Sequence, residues 1–478
     1  MSFKKTTFRH IFQIGGYSYA IQALSFLSSI ALARLLLPEE YGFAAMVMVI
    51  ANFSSILSGV GIGSEIIRSN YGYTYHKSMM NVSFYVGVII FIMMVIAAYP
   101  VAHFFGNKQL IIPIIVMAFK FIALGLNIVQ HALVLKNQKF RLVGRIELST
   151  AIFSIILMIL MAYFGFSYWS LIVPLVIAEI LRSYLYFIVT PLKVKFYPLK
   201  YSIVAFRHAK SLIGSILGVR LISYWARNLD SILIGRSFGE ASLGIYNRAY
   251  KFSELVSTLF ERLFDTVLFP NLQKLREKGG EVFGEYVFFI GVMCFLSFPI
   301  GSLLIIFPEN LVRILWGPDW MVVAEFLPYF GVAILCESAM SNTETLYKIF
   351  YKDLLLFKIG ISRAILIVVF IIIGSMFSAL MVARMVALVH IILVMPLIVY
   401  YSFGRELKVK YKLLHWLYLP RILLCTGIFI SIWEDLFILT IIQLALYLIH
   451  LYLIHRKDVS KISDLLLKRF IVMKENKI

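Results

Sequence analysis

Runs of about twenty apolar residues recur along the whole 478-residue chain, separated by short polar stretches. Rising 1.5 Å per residue, such a run reaches across the roughly 30 Å hydrocarbon core of a bilayer. Inside that core every backbone N–H and C=O needs a partner within the chain, and runs this long select helices. The composition fits no soluble class: 61% of residues are hydrophobic and 15% charged, whereas soluble domains carry about a quarter charged residues. Spans are expected near 11–36, 41–66, 79–105, 110–135, 146–165, 168–190, 207–235, 241–269, 283–307, 324–350, 354–376, 379–403, 414–433 and 436–455. The chain thus reads as an all-α polytopic membrane protein of about fourteen transmembrane helices. After Met1–His10 the apolar run continues at spanning length without a small-residue cleavage site, so the first span is expected to stay as an anchor.

The formal charge is +20. Its basic residues come in short clusters between spans, the pattern of cytoplasmic loops, so no nucleic-acid partner is expected. Lys and Arg gather at the N-terminus, in the loops near 68–78, 136–145, 193–210, 274–278, 348–358 and 405–412, and in the C-terminal tail. The opposite side has only Arg34, Lys108, Arg236 and Arg313. Both termini are therefore expected on the cytoplasmic side, as an even number of spans requires. Cys294, Cys336 and Cys425 lie inside spans, too far apart for a metal motif, so neither disulfide, metal nor other cofactor is expected.

Moving the sequence by 202 positions without gaps superposes Ile11 on Ile213, Ile14 on Ile216, Gly16 on Gly218, Leu27 on Leu229, Ser29 on Ser231, Ile30 on Ile232, Arg34 on Arg236 and Gly42 on Gly244. The repeat covers six spans, an even number, so both copies share one orientation. They are expected as two six-helix bundles related by an axis along the membrane normal, with the substrate site between them, as in secondary transporters. The domains follow: an N-terminal lobe over 1–192, a cytoplasmic basic linker over 193–206, a C-terminal lobe over 207–404, two additional transmembrane helices over 405–455 and a basic cytoplasmic tail over 456–478.

Charge inside a span is costly and normally faces a bundle interior or a wet cavity. Between Arg220 and Arg236 the helical period lines up Arg220, Tyr224, Arg227 and Ser231, with Asp230 beside Arg227. This is either a cationic face for a substrate or an Arg227–Asp230 pair that locks helices together. The repeat shift carries Ser18, Gln22, Ser25 and Ser29 onto the same stripe, so both stripes are expected to line one asymmetric, positively charged chamber. Taken alone, the serines also fit close helix packing. In the next span Arg248, Lys251, Glu254, Thr258, Glu261 and Asp265 recur every three or four residues. That face lines the chamber or lies at the membrane interface.

Lys120 is a further cavity candidate, or a snorkelling residue. Glu179 with Arg182, and Glu337 with Glu344, are proton-relay candidates or structural pairs. Asp230, Glu254, Glu261 and Asp265 are candidates for ion coupling. Gly59, Gly61 and Gly63 are expected to loosen the end of the second span. No P-loop, HExxH or Gly-x-Ser-x-Gly motif occurs, and the short outer loops leave no room for a carboxylate-based enzyme site.

Ala-Arg-Leu-Leu-Leu-Pro-Glu-Glu-Tyr-Gly at 33–42, Asp-Ser-Ile-Leu-Ile-Gly-Arg-Ser-Phe-Gly at 230–239, Leu-Gly-Ile-Tyr-Asn-Arg-Ala-Tyr-Lys at 243–251 and Leu-Trp-Gly-Pro-Asp-Trp at 315–320 resemble signature segments of bacterial polysaccharide transporters. These are the Wzx-type flippases of O-antigen, capsule and exopolysaccharide repeat units, in the superfamily that also holds multidrug extruders and peptidoglycan-precursor flippases. The resemblance implies alternating access that moves an undecaprenyl-pyrophosphate-linked oligosaccharide across the bacterial cytoplasmic membrane. It also implies a lipid-linked glycan as substrate, contact with membrane lipid, a monovalent cation or proton for coupling, and other polysaccharide-assembly membrane proteins as partners. Arg220 and Arg227 are then the first choice for the pyrophosphate, with Tyr224, Trp225, Gln22 and the serines for sugar. The rival readings are a drug or metabolite antiporter of the same superfamily and an integral-membrane enzyme of glycan assembly.

Overall fold

The computed structural model describes residues 3–59, 61–69, 71–190 and 199–454; side chains are left out at 3–15 and over parts of the longest helix, among them 222–223, 226–227 and 253–268. Among the described residues there is no strand. Among the described residues ten helices are long and apolar enough to cross a membrane, or eleven if one bent pair is a single span, and this number includes neither the first helix nor the longest. The protein is an all-helical membrane protein.

The chain forms two compact units, one of Met1–Ile245 with Leu315–Trp320, the other of Tyr246–Ile314 with Met321–Ile478. The first holds α1 (Phe3–Ala33), α2 (Pro38–Gly59), α3 (Ile62–Arg68), α4 (Tyr73–Phe105), α5 (Ile111–Lys136), α6 (Phe140–Tyr163), α7 (Trp169–Val189) and the first arm of α8 (Leu199–Glu277). α2 and α3 are the two pieces of the expected second span. They part at Gly61, whose φ of +83° favours glycine and whose Cβ would stand 2.7 Å from Ile213 Cα. α8 is 79 residues long and breaks once, at Gly239 (φ 79°, ψ −175°). This break falls between the two spans expected at 207–235 and 241–269, and it gives two arms of roughly 60 Å, each longer than a bilayer core.

The short segment Leu315–Trp320 is the one piece of the later sequence that belongs to the first unit. Trp320 is fully buried there, its Nε1–H donates to Ala33 O at the end of α1 (2.8 Å), and its ring stands edge-on to Tyr41 at 5.2 Å. Arg34 Nε donates to Leu315 O at 3.3 Å. The Trp-Gly-Pro-Asp-Trp motif is thus a plug held by the carbonyls and aromatic surface around the α1–α2 corner.

The second unit continues with α9 (Val282–Ile306), α10 (Pro308–Leu315), α11 (Leu327–Ser338), α12 (Thr343–Ile349), α13 (Asp353–Ser375), α14 (Ala379–Val389), α15 (Tyr411–Trp433) and α16 (Phe437–Ile454). The span expected at 324–350 is not one straight helix. It bends by 49° after Glu325, and turns at Ala339–Asn342 divide α11 from α12, with Asn342 at φ +55°. The span expected at 379–403 begins as α14 and then widens into π-helical turns at His390–Val394 and Leu397–Glu406. Pro396 between them has no N–H to keep the α ladder in step. Large apolar side chains remain exposed on α4, α6, α13 and α16, including Ile96, Leu160, Ile365 and Ile438, the surface expected of helices solvated by lipid. Cys294, Cys336 and Cys425 are buried free thiols.

Candidate functional site

Within the first unit, α1, α2, α5, α6 and α7 surround a cavity of ≈ 380 Å³, a size typical of small-molecule sites. α1 contributes Ser25, Ser28 and Ser29, which recur at helical spacing and so share a face; α6 adds Thr150 and Ser154, one turn apart. Ser28 and Ser29 donate back to the carbonyls of Ser25 and Phe26 (2.9 and 2.7 Å), and Thr150 to that of Ile146 (2.9 Å). Ser154 is buried and its hydroxyl has no hydrogen-bond partner among the described residues. Tyr41, braced by Trp320, closes one wall.

The charged wall comes from α5 and α7. Glu179 is buried, with both carboxylate oxygens engaged: Asn127 Nδ2 donates to Oε1 at 2.7 Å and Arg182 Nη1 to Oε2 at 2.8 Å. Asn127 also donates to Ser183 Oγ at 2.9 Å, and Ser183 donates to Ala123 O at 2.7 Å, fastening α7 to α5. Arg182 Nε lies 3.3 Å from Glu147 Oε2 on α6, an ion pair without hydrogen-bond geometry. Glu147 Oε1 in turn accepts from Tyr186 Oη at 3.1 Å. Of the two pairs expected to be either relays or structural partners, Glu179 with Arg182 thus belongs to one network over three helices, whereas Glu344 lies 3.6 Å from Lys348 and Glu337 3.5 Å from Arg363 in the second unit.

Lys120 faces the Glu179 and Arg182 charges of that network across the cavity without bonding to either. It is half-buried on α5 and lines the cavity, yet no described residue hydrogen-bonds or ion-pairs with its ammonium. An ammonium carries three donors and no acceptor. Held away from bulk water it favours an anion.

Of the residues singled out in the sequence, the structure brings Ser25, Ser29, Lys120, Glu179 and Arg182 into this one cavity. Ser18 and Gln22 lie two turns and one turn earlier on α1 and are not among its lining residues. Arg220 is exposed on α8 and Trp225 is exposed beside it. Tyr224 is buried; its hydroxyl donates to Val49 O on α2 and its ring packs on Phe53 at 5.6 Å. Asp230 is buried and accepts from the Ser231 amide at 2.7 Å. Arg248 is buried and Lys251 exposed, both on the arm of α8 that belongs to the second unit. The side chains of Arg227, Glu254, Glu261 and Asp265 lie outside the described residues. Sequence reasoning did not single out Thr150, Ser154 or Tyr41; Thr150 and Ser154, four apart in an otherwise apolar helix, carried the signal that would have found them.

The fold is that of known flippases and extruders. The structure of lipid II flippase MurJ in an inward closed conformation superposes with a TM-score of 0.70 over 93% of this chain and 99% of that one, at 15% identity. An inward-facing multidrug resistance MATE family transporter of the MOP superfamily gives 0.57 over 81% of this chain and 94% of its own, at 11% identity. In sequence the chain is similar to the lipopolysaccharide biosynthesis protein WzxC of Escherichia coli (22% identical, covering 74% of this chain and 72% of that protein). It is also similar to the teichuronic acid biosynthesis protein TuaB of Bacillus subtilis (19%, 60% of each) and to the succinoglycan biosynthesis transport protein ExoT of Rhizobium meliloti (22%, 67% and 64%). It spans only about 60% of the length of TuaB. The family model described as polysaccharide biosynthesis protein matches residues 31–325, more than half of the chain, and the chain belongs to that family.

Proposed function

We propose that this protein is a flippase that moves an undecaprenyl-pyrophosphate-linked oligosaccharide repeat unit from the inner to the outer leaflet of the bacterial cytoplasmic membrane, by alternating access, for O-antigen, capsule or exopolysaccharide assembly. Both termini lie on the cytoplasmic side in this reading, and the chain changes no covalent bond of its cargo. The observation that carries it is Lys120: a cavity-lining ammonium with which no described residue hydrogen-bonds or ion-pairs, set among serine and threonine hydroxyls. A pyrophosphate entering a low-dielectric site needs a cation and hydrogen-bond donors in place of its water. Lys120 and the free hydroxyl of Ser154 meet that need, while the remaining hydroxyls suit sugar. Arg220 and Arg227, with Arg248 and Lys251, are proposed to guide the anion along its path, and Gln22, Ser18 and Tyr224 to line it.

An organic-cation extruder of the same fold fits less well. The cavity carboxylate, Glu179, is already occupied by Arg182 and Asn127, so among the described residues lining the cavity no carboxylate is spare for a cationic drug. The test is reconstitution of the purified protein in liposomes with a fluorescent undecaprenyl-pyrophosphate-linked glycan in the inner leaflet. The expected result is appearance of the unaltered lipid in the outer leaflet, at a rate that falls when Lys120 is replaced by Gln. Export of an organic cation with no movement of the glycolipid would overturn the proposal.

A further inference from the structure

The second unit contains a titratable pair that the cavity of the first does not use. His390 is 3% exposed and opens the first π-helical turn. Its Nδ1 lies 2.7 Å from Val386 O. A carbonyl only accepts, so Nδ1 carries a proton and donates it. In neutral imidazole the other nitrogen, Nε2, must then be a bare lone pair. That atom lies 3.2 Å from Glu337 Oε1, within ion-pair distance but without hydrogen-bond geometry. A lone pair facing a carboxylate at this distance is repulsive. The arrangement is attractive only with one more proton, either on Nε2, giving imidazolium and carboxylate, or on the carboxyl, giving imidazole and acid.

We propose that Glu337 and His390 form a one-proton site whose loading and release drive the cycle; this coupling role rests on the flippase reading, whereas the proton site itself does not. Its setting is that of a moving part. Glu337 ends α11 just before the turns at Ala339–Asn342, and His390 sits where the partner helix has gained an extra residue per turn, with Met395 N–H bonded to His390 O. Breaks and π-bulges at membrane depth are tolerated where protein buries them, and they recur at functional sites. α13 brings Arg363, whose Nη2 is 3.5 Å from the same Glu337 oxygen. The other ionisable groups nearby are engaged elsewhere. On α14, Arg384 donates to Tyr329 Oη at 2.9 Å. On α15, Arg421 faces Cys294 at 3.8 Å and the Tyr418 ring at 5.6 Å. The later π-helical turns meet Tyr347 through Ser402 at 2.7 Å. The ring is sealed, but the Glu337 and Arg363 side chains are 28% and 42% exposed, so protons reach the imidazole through the carboxylate. Arg363 already stands beside the same oxygen, so the carboxylate keeps a counter-charge once the proton has left.

Two measurements on the full-length protein test this. In lipid nanodiscs with ¹⁵N-labelled histidine, the His390 signal, identified by its loss in His390→Gln, should report Nδ1–H throughout and a change at Nε2 across the titration. Glu337→Gln should move that change. A signal that stays neutral at every pH and ignores Glu337→Gln overturns the proton site. In liposomes, an imposed pH gradient should alter the rate at which the fluorescent glycolipid crosses, and Glu337→Gln or His390→Gln should abolish the response while Glu337→Asp keeps part of it. An unchanged gradient response in both neutral variants overturns the coupling. Failure of the native protein to move the glycolipid under any gradient would count against the flippase reading instead, and the histidine titration would still decide the proton site.

Discussion

Gly42 and Gly244, mates in the 202-residue repeat, press backbone against backbone: a Cβ on Gly42 would stand 2.9 Å from the amide nitrogen of Gly244, and one on Gly244 would stand 3.0 Å from that of Gly42. The contact is reciprocal. The Gly42 Cβ would collide with Glu240 O and the Gly244 Cβ with Pro38 O, and residues 38 and 240 are themselves repeat mates. Arg34 and Arg236, another pair of mates, each donate to a backbone carbonyl nearby, of Leu315 and Phe104 respectively. A side chain at either glycine must push the two corners apart. Gly42→Val and Gly244→Val should each cost about 1–3 kcal/mol, the usual range for overpacking, read as a lower melting midpoint of the detergent-purified protein. Midpoints equal to the native value would mean that these corners separate freely.

Trp320 allows its packing and its hydrogen bond to be separated. Trp320→Ala should lower stability by about 3–5 kcal/mol, because the whole buried indole is lost from beside Tyr41. Trp320→Phe keeps the ring and loses the Nε1–H bond to Ala33 O, a change of about 0.5–1.5 kcal/mol. Equal melting midpoints for the two variants would show that the plug contributes no packing.

Ten of the fourteen expected spans were legible because their length is dictated by the bilayer, and Gly42 and Gly244 stood out in the 202-residue shift because a Cβ at either would press on backbone. Lys120 was visible for a physical reason too: a cation in an apolar run is expensive, so it is there for a purpose. The cavity around it was not, since Ser25, Ser154 and Glu179 come from three helices whose relative rotation depends on packing that no single stretch encodes. The breaks at Ala339–Asn342 and the π turn at His390 were hidden for the opposite reason. The turns at Ala339–Asn342 interrupt a long apolar run with only a few polar residues, and the π turn at His390 lies in a stretch as apolar as a straight helix.

The arginine stripe of α8 makes its own prediction, resting on the spacing of Arg227 and Asp230. If Arg227 guides the substrate anion, Arg227→Gln should leave membrane yield intact and lower export. If it only neutralises Asp230, the single change strands a charge at about 3–5 kcal/mol, and yield should fall. Adding Asp230→Asn removes the stranded charge without restoring an anion site. Export regained in the double variant would exclude a role in guiding the substrate, whereas restored yield with export still low would support one.

Lys120 and Glu179 line the same cavity but differ in what they hold, so neutralising each should have a different effect. Glu179 is 3% exposed and binds Arg182 and Asn127. Glu179→Gln takes a partner from Arg182, which would cost up to about 3–5 kcal/mol for a fully buried cation with no other counter-ion and costs less here, because Arg182 is 28% exposed and Glu147 stays 3.3 Å from it. The melting midpoint should still fall clearly. Lys120→Gln strands nothing among the described residues and relieves a partly buried charge, so its midpoint should equal or exceed the native one while glycolipid transport is lost. Lys120→Arg, which keeps the charge but changes its shape, should retain part of the transport. If Lys120→Gln instead melts as early as Glu179→Gln, Lys120 belongs to the structural network and the anion must be held by other residues.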